Sequence, residues 1–118
     1  MEKLTHQEEE VLRIIFQVEK GYIRDFIEQM TPPRPPYTTV ASIVKNLHRK
    51  GYLKAVRHGN TYEYCPALEE NEFKSRYMSG IVENYFENSY KELVSFFAEK
   101  KKISADELQE IIRLIEKK

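Results

Sequence analysis

Tyr37-Thr38-Thr39-Val40-Ala41-Ser42-Ile43-Val44-Lys45-Asn46-Leu47-His48-Arg49-Lys50-Gly51, continuing through Leu53–His58, Gly59-Asn60 and Thr61–Pro66, is the stretch on which the fold turns. Val40, Ile43, Val44 and Leu47 recur at the spacing of one helical face, and Lys50-Gly51 supplies a stop. After Tyr52 the period shortens. Two β-prone runs, Leu53 to His58 and Thr61 to Cys65 and Pro66, surround a glycine-led turn, which reads as a hairpin.

Upstream, Thr31-Pro32-Pro33-Arg34-Pro35-Pro36 cannot be helical in its middle, because each proline lacks a donor and restricts the residue before it. It resembles a polyproline ligand, but its place between two helices fits a rigid connector better. Before it, Tyr22 to about Met30 predicts a short helix with Ile23, Phe26 and Ile27 inward. Thr5-His6-Gln7-Glu8 is a capping box opening a first helix that ends near Gly21, with Val11, Leu12, Ile14, Ile15 and Val18 as its apolar stripe. Three helices and a β-hairpin, with the third helix basic, make a winged helix-turn-helix domain over residues 1–66.

Downstream, residues 67–118 predict three more helices and a mainly α protein. Their inward stripes are Phe73, Tyr77, Ile81 and Tyr85; Tyr90, Leu93, Val94 and Phe97; and, behind the cap Ser104-x-x-Glu107, Leu108, Ile111, Ile112 and Ile115. A helical segment this small makes a thin core, so a second copy is the expected partner and 67–118 a dimerisation domain. Phe73, Tyr77, Ile81, Tyr85, Leu93, Phe97, Leu108, Ile111, Ile112 and Ile115 are the expected dimerisation residues.

The formal net charge is zero, with 19 basic and 19 acidic residues in 118. The distribution matters more. No Asp or Glu occurs between Glu28 and Glu63, while Arg34, Lys45, Arg49, Lys50, Lys54 and Arg57 all do. Phosphate binding is driven by counterion release at the contact surface, so a local basic patch counts for more than whole-chain charge. Beyond Pro66 the chain is slightly acidic.

Thr38, Thr39, Ser42, Lys45, Asn46 and Arg49 form the polar face of the third helix, and no acid interrupts them. Small hydroxyls approach phosphates closely, an Asn amide can pair with adenine, and Arg grips a phosphate or a guanine edge. The plain alternative, a solvated helix face, usually mixes both signs of charge. At the hairpin tip, Arg57, His58 and Asn60 suit a wing touching the minor groove or a phosphate.

Enzyme signatures are missing. His6, His48 and His58 are scattered, there is no HExxH and no glycine-rich phosphate loop, and Cys65 beside Pro66 has no activating base. One cysteine and three histidines leave little for a metal site, so neither metal nor cofactor is expected. No apolar run approaches a membrane span, and the start Met1-Glu2-Lys3-Leu4-Thr5 has no signal character, so a cytoplasmic protein is expected.

Tyr37-Thr38-Thr39-Val40, then Leu47-His48-Arg49-Lys50-Gly51-Tyr52-Leu53, then His58-Gly59-Asn60-Thr61-Tyr62-Glu63-Tyr64-Cys65-Pro66 resemble the signature of the penicillinase-repressor family (BlaI/MecI/CopY type). Leu4-Thr5-x-x-Glu8-x-x-Val11-Leu12 is similar to that family's first helix, and Leu93-Val94 through Phe97-Ala98-Glu99-Lys100 to Leu108 and Ile115 to its end. The resemblance implies a homodimeric repressor on a dyad-symmetric double-stranded operator. Thr38, Thr39, Ser42, Lys45 and Asn46 would fall on the reading helix, and Arg57 to Asn60 on the wing. It further implies release by a signal, with proteolysis prompted by a membrane-bound sensor metallopeptidase as one route. The Asn-Phe pair cleaved in the β-lactam branch reads Phe96-Phe97 here, and the copper branch's paired cysteines have no counterpart after Cys65. Two other classes compete: a winged-helix adaptor that binds protein, against which the acid-free helix speaks, and a ligand sensor with a pocket under Phe73 to Phe86.

Overall fold

The computed structural model describes residues 2–117. The element order is α1 (His6–Val18), α2 (Ile23–Glu28), α3 (Tyr37–Arg49), β1 (Leu53–His58), β2 (Thr61–Pro66), α4 (Glu70–Tyr85), α5 (Tyr90–Glu99) and α6 (Ala105–Glu116). The chain divides into two compact units, Met1–Phe73 and Lys74–Lys118, and the division falls inside α4. No helix among the described residues is long and apolar enough to cross a membrane.

In the first unit, α1 starts where Thr5 and Glu8 cap one another: the Glu8 amide donates to Thr5 Oγ1 at 3.1 Å and the Thr5 amide to Glu8 Oε1 at 2.8 Å. Val11, Leu12 and Ile15 of α1, Ile23 and Phe26 of α2, and Val40, Val44 and Leu47 of α3 meet with Tyr52, Leu53 and Tyr64 in one core. Ile14, Val18, Ile27 and Ile43 are half-buried around it, because they lie at the borders of their stripes. The connector into α3 is fixed by Arg34. Its guanidinium donates to the carbonyls of Met30 and Glu28, both at 3.0 Å, satisfying acceptors that the end of α2 leaves open.

β1 and β2 are antiparallel, from Leu53↔Pro66 to His58↔Thr61. Gly59 turns the hairpin with φ of 62°, in the left-handed region that a side chain disfavours. The hairpin is tied to the helices by a bridge without a clear sequence signal: Gly21 and Tyr64 exchange backbone hydrogen bonds of 2.9 and 2.7 Å. A Cβ on Gly21 would stand 2.9 Å from Asp25 Oδ2, 3.1 Å from Asp25 Cβ and 3.3 Å from the buried Phe26 ring. The same Oδ2 accepts from the Tyr22 amide at 2.8 Å. Gly21→Ala is therefore expected to lower unfolding free energy by about 1–3 kcal/mol, measured by urea titration; an unchanged midpoint would show that the link yields freely.

Phe73 lies in this first unit. It packs on the core, its ring 5.7 Å from Phe16 and 6.1 Å from Tyr52. Phe73 heads the expected dimerisation stripe through Tyr85, and within the single chain it is half-buried against this core. Steps of four residues rotate about 40° beyond a full turn, so three such steps carry Tyr85 roughly 120° away from Phe73. Tyr85 is accordingly 78% exposed.

In the second unit the fully buried residue of α4 is Val82, one position from the expected Ile81, which is half-buried. Ser89 caps α5 and Ser104 caps α6, each hydroxyl accepting at 3.1 Å from the amide three residues on. Phe96 contacts Phe86 and Phe97 edge to face, with Lys100 Nζ 5.8 Å from its ring centre. In the single chain most of the expected stripes face outward: Tyr77, Tyr90, Val94, Phe97, Ile111, Ile112 and Ile115 are exposed, while Leu93 and Leu108 are half-buried.

Candidate nucleic-acid interface

The inner side of α3 anchors the site. Val40, Val44 and Leu47 are fully buried, which turns Thr38, Thr39, Ser42, Lys45, Asn46 and Arg49 to the opposite side, and all six are exposed. The helix begins at Pro36 with no side-chain cap and no acid in its first turn. Among the described residues no carboxylate caps its first amides, which lie at the positive end of the helix dipole. Thr38, Thr39, Ser42, Ile43 and Asn46 share a shallow concavity with Thr5, Gln7 and Glu8 of the α1 start. Gln7, exposed there, is a polar group that reading along α3 alone does not reveal.

The fold sorts the cations of the acid-free window into different jobs. Arg34 holds the connector. Lys50 turns inward: its Nζ lies 2.6 Å from Glu8 Oε1, with side-chain exposures of 10% and 4% for Lys50 and Glu8. Burial works to raise the Glu8 pKa. The Lys50 hydrogen bond, the Thr5 amide, the Lys50 charge and the Thr5 hydroxyl outweigh it, and the carboxyl is held below its ordinary 4.5. Lys45 and Lys54 stand exposed. Arg49 is exposed too, but its Nη1 lies 3.7 Å from Glu2 Oε1.

On the wing, Arg57 Nε donates to the Gly59 carbonyl at 2.8 Å, leaving the two terminal nitrogens of its guanidinium outside that bond. His58 Nε2 is 3.3 Å from Glu63 Oε1. Glu63 opposes Val56 in the ladder, so it is the diagonal neighbour of His58 and reaches it on one face. His58 also meets Tyr22 edge to face at 6.1 Å. Asn60 is exposed at the tip. The sequence window free of acids is therefore not free of them in space, because Glu2 and Glu63 return to its edges.

A helix-turn-helix with an exposed, uncapped third helix and a hairpin wing defines the class of winged-helix regulators. Two solved structures of the organohalide-sensing RdhR-CbdbA1625 transcriptional regulator are similar to the chain in fold. The ligand-free form matches with TM-score 0.51 and 14% identity, the 2,4-dichlorophenol-bound form with 0.50 and 13%. Each match covers 98% of this chain and 62% of the other, so the chain spans less than two thirds of their length.

The pattern of the penicillinase repressor family matches residues 4–117, and the chain belongs to that family. It is similar to the methicillin resistance regulatory protein MecI of Mammaliicoccus sciuri, 23% identical over 117 residues, covering 98% of this chain and 95% of the relative. The protein of the same name from Staphylococcus aureus (strain N315) is 25% identical over 118 residues with the same coverage. The protein is thus a DNA-binding transcriptional repressor of the penicillinase repressor type, and its family consists of regulators rather than enzymes.

Proposed function

We propose that two copies of the chain act together in the cytoplasm as a repressor on a dyad-symmetric operator, each placing α3 in a major groove and its wing on the adjacent backbone or minor groove. The observation that carries this is the exposed face of Thr38, Thr39, Ser42, Lys45, Asn46 and Arg49, with the uncapped start of α3 at one end. Residues 1–66 serve as the DNA-binding part and 67–118 as the dimerisation part. The exposed apolar side chains of α5 and α6 support the second half of this reading, since contiguous apolar surface is rarely left to water. Phe73 also packs on its own chain's core. Release is by a signal; a sensor metallopeptidase that prompts proteolysis is the route that family membership suggests.

The roles on α3 divide by chemistry. Lys45 contacts phosphate and Asn46 a base edge, with Arg57, His58 and Asn60 on the wing. Binding of the full chain to DNA upstream of its own gene, followed by fluorescence anisotropy, should weaken with salt at about 0.9 decades per decade of salt for each neutralised phosphate. Lys45→Ala should weaken operator and mixed-sequence DNA alike, whereas Asn46→Ala should cost about 1–3 kcal/mol on the operator alone. A flat salt response, or equal losses from both variants on both DNAs, would contradict this assignment.

A further inference from the structure

Glu2 lies far from α3 in sequence, yet its carboxylate stands 3.7 Å from the Arg49 guanidinium on the last turn of that helix. Two other contacts fix the segment there. The Glu2 carbonyl accepts from Tyr52 Oη at 2.6 Å, and the Lys3 carbonyl accepts from Lys50 Nζ at 3.0 Å. Both donors are anchored themselves, Tyr52 in the core and Lys50 in its buried pair with Glu8. The backbone carrying Glu2 is therefore held beside α3 by bonds that do not involve its side chain. Its carboxylate is presented to Arg49 by the fold.

Both side chains of the pair are 61% exposed. An ion pair in that setting is weak and open to exchange. A phosphate offers the guanidinium a stronger, bidentate partner with the same sign of charge as the carboxylate. On the reading of α3 as the DNA-facing helix, we infer that Glu2 is an intramolecular stand-in for a backbone phosphate. It occupies Arg49 in the free protein, is displaced when DNA docks, and so tempers affinity for any duplex while leaving the base-reading residues of α3 untouched.

The test uses the full chain and a mixed-sequence DNA duplex, because a phosphate contact does not depend on the operator. Glu2→Gln should bind roughly two- to fivefold more tightly than the parent at low salt. The advantage should shrink as salt rises. It should vanish in the Arg49→Ala background, since the competition then has no object. Thermal unfolding should be unchanged, because the carbonyls that pin the segment remain. An advantage that survives in Arg49→Ala would reflect only the loss of one negative charge and overturns the inference, as does no advantage at all. Lys45→Ala separates the two levels. If it weakens binding while Glu2→Gln does nothing, the competition alone falls. If neither Lys45→Ala nor Arg49→Ala weakens binding, the DNA-facing reading of α3 falls and the inference with it.

Discussion

Lys50→Met is expected to lower the unfolding free energy by about 3–5 kcal/mol, because it leaves the Glu8 carboxylate buried without its charge partner. The pair is 2.6 Å long and almost wholly shielded from water, and Glu8 also closes the capping box at the start of α1. Removing the ammonium therefore strands a charge at a helix end that the fold cannot easily reopen. The companion variant Glu8→Gln, Lys50→Met keeps an amide able to accept from the Thr5 backbone and removes both charges, so it should recover most of the loss. If the double variant were as unstable as the single one, packing of the Lys50 stem rather than charge would be responsible.

The same pair sets an acid limit. The Glu8 carboxyl is held below its ordinary value of 4.5, so its contribution is fully present above that pH and is lost as pH falls through the lowered value. Urea titrations at descending pH should show this extra acid sensitivity in the parent and its absence in the double variant.

Ile112→Asp should turn the proposed dimer into a monomer and reduce operator affinity by about two to four decades, the range by which linking two binding modules exceeds one. Ile112 is exposed in the single chain, along with Ile111, Leu114 and Ile115 of α6. A charge there costs the isolated chain little, but in an apolar contact with a second copy it would be buried without a partner. Light scattering gives the mass, circular dichroism confirms the helices, and anisotropy gives the affinity. A folded variant that stays dimeric would move the contact away from α6, and a parent that is monomeric at micromolar concentration would remove the dimer altogether.

The elements themselves were legible because their signals are local. Thr5 with Glu8 and Ser104 with Glu107 announce helix starts within a single turn, and Val40, Val44 and Leu47 repeat at the period that buries one face. Gly59 announces the hairpin for the same reason, since one backbone angle decides it. Reading broke down in α4, where spacing by four looks like a stripe yet winds around the helix. Phe73 packs on the first unit's core, Val82 is buried in the second unit and Tyr85 is exposed.

Local spacing is enough to specify the helices, the hairpin and the polar face from Thr38 to Arg49, since each depends on residues within a few turns of one another. Which cations that face keeps is settled by packing. Lys50 is withdrawn by Glu8 and Arg49 shadowed by Glu2, while Arg34 serves the connector and Arg57 braces the wing. A charge acts over a few ångströms of space, and helix packing brings together groups that lie more than forty residues apart in the chain. The basic window was written along the chain; its working charge was set by what packing placed beside it.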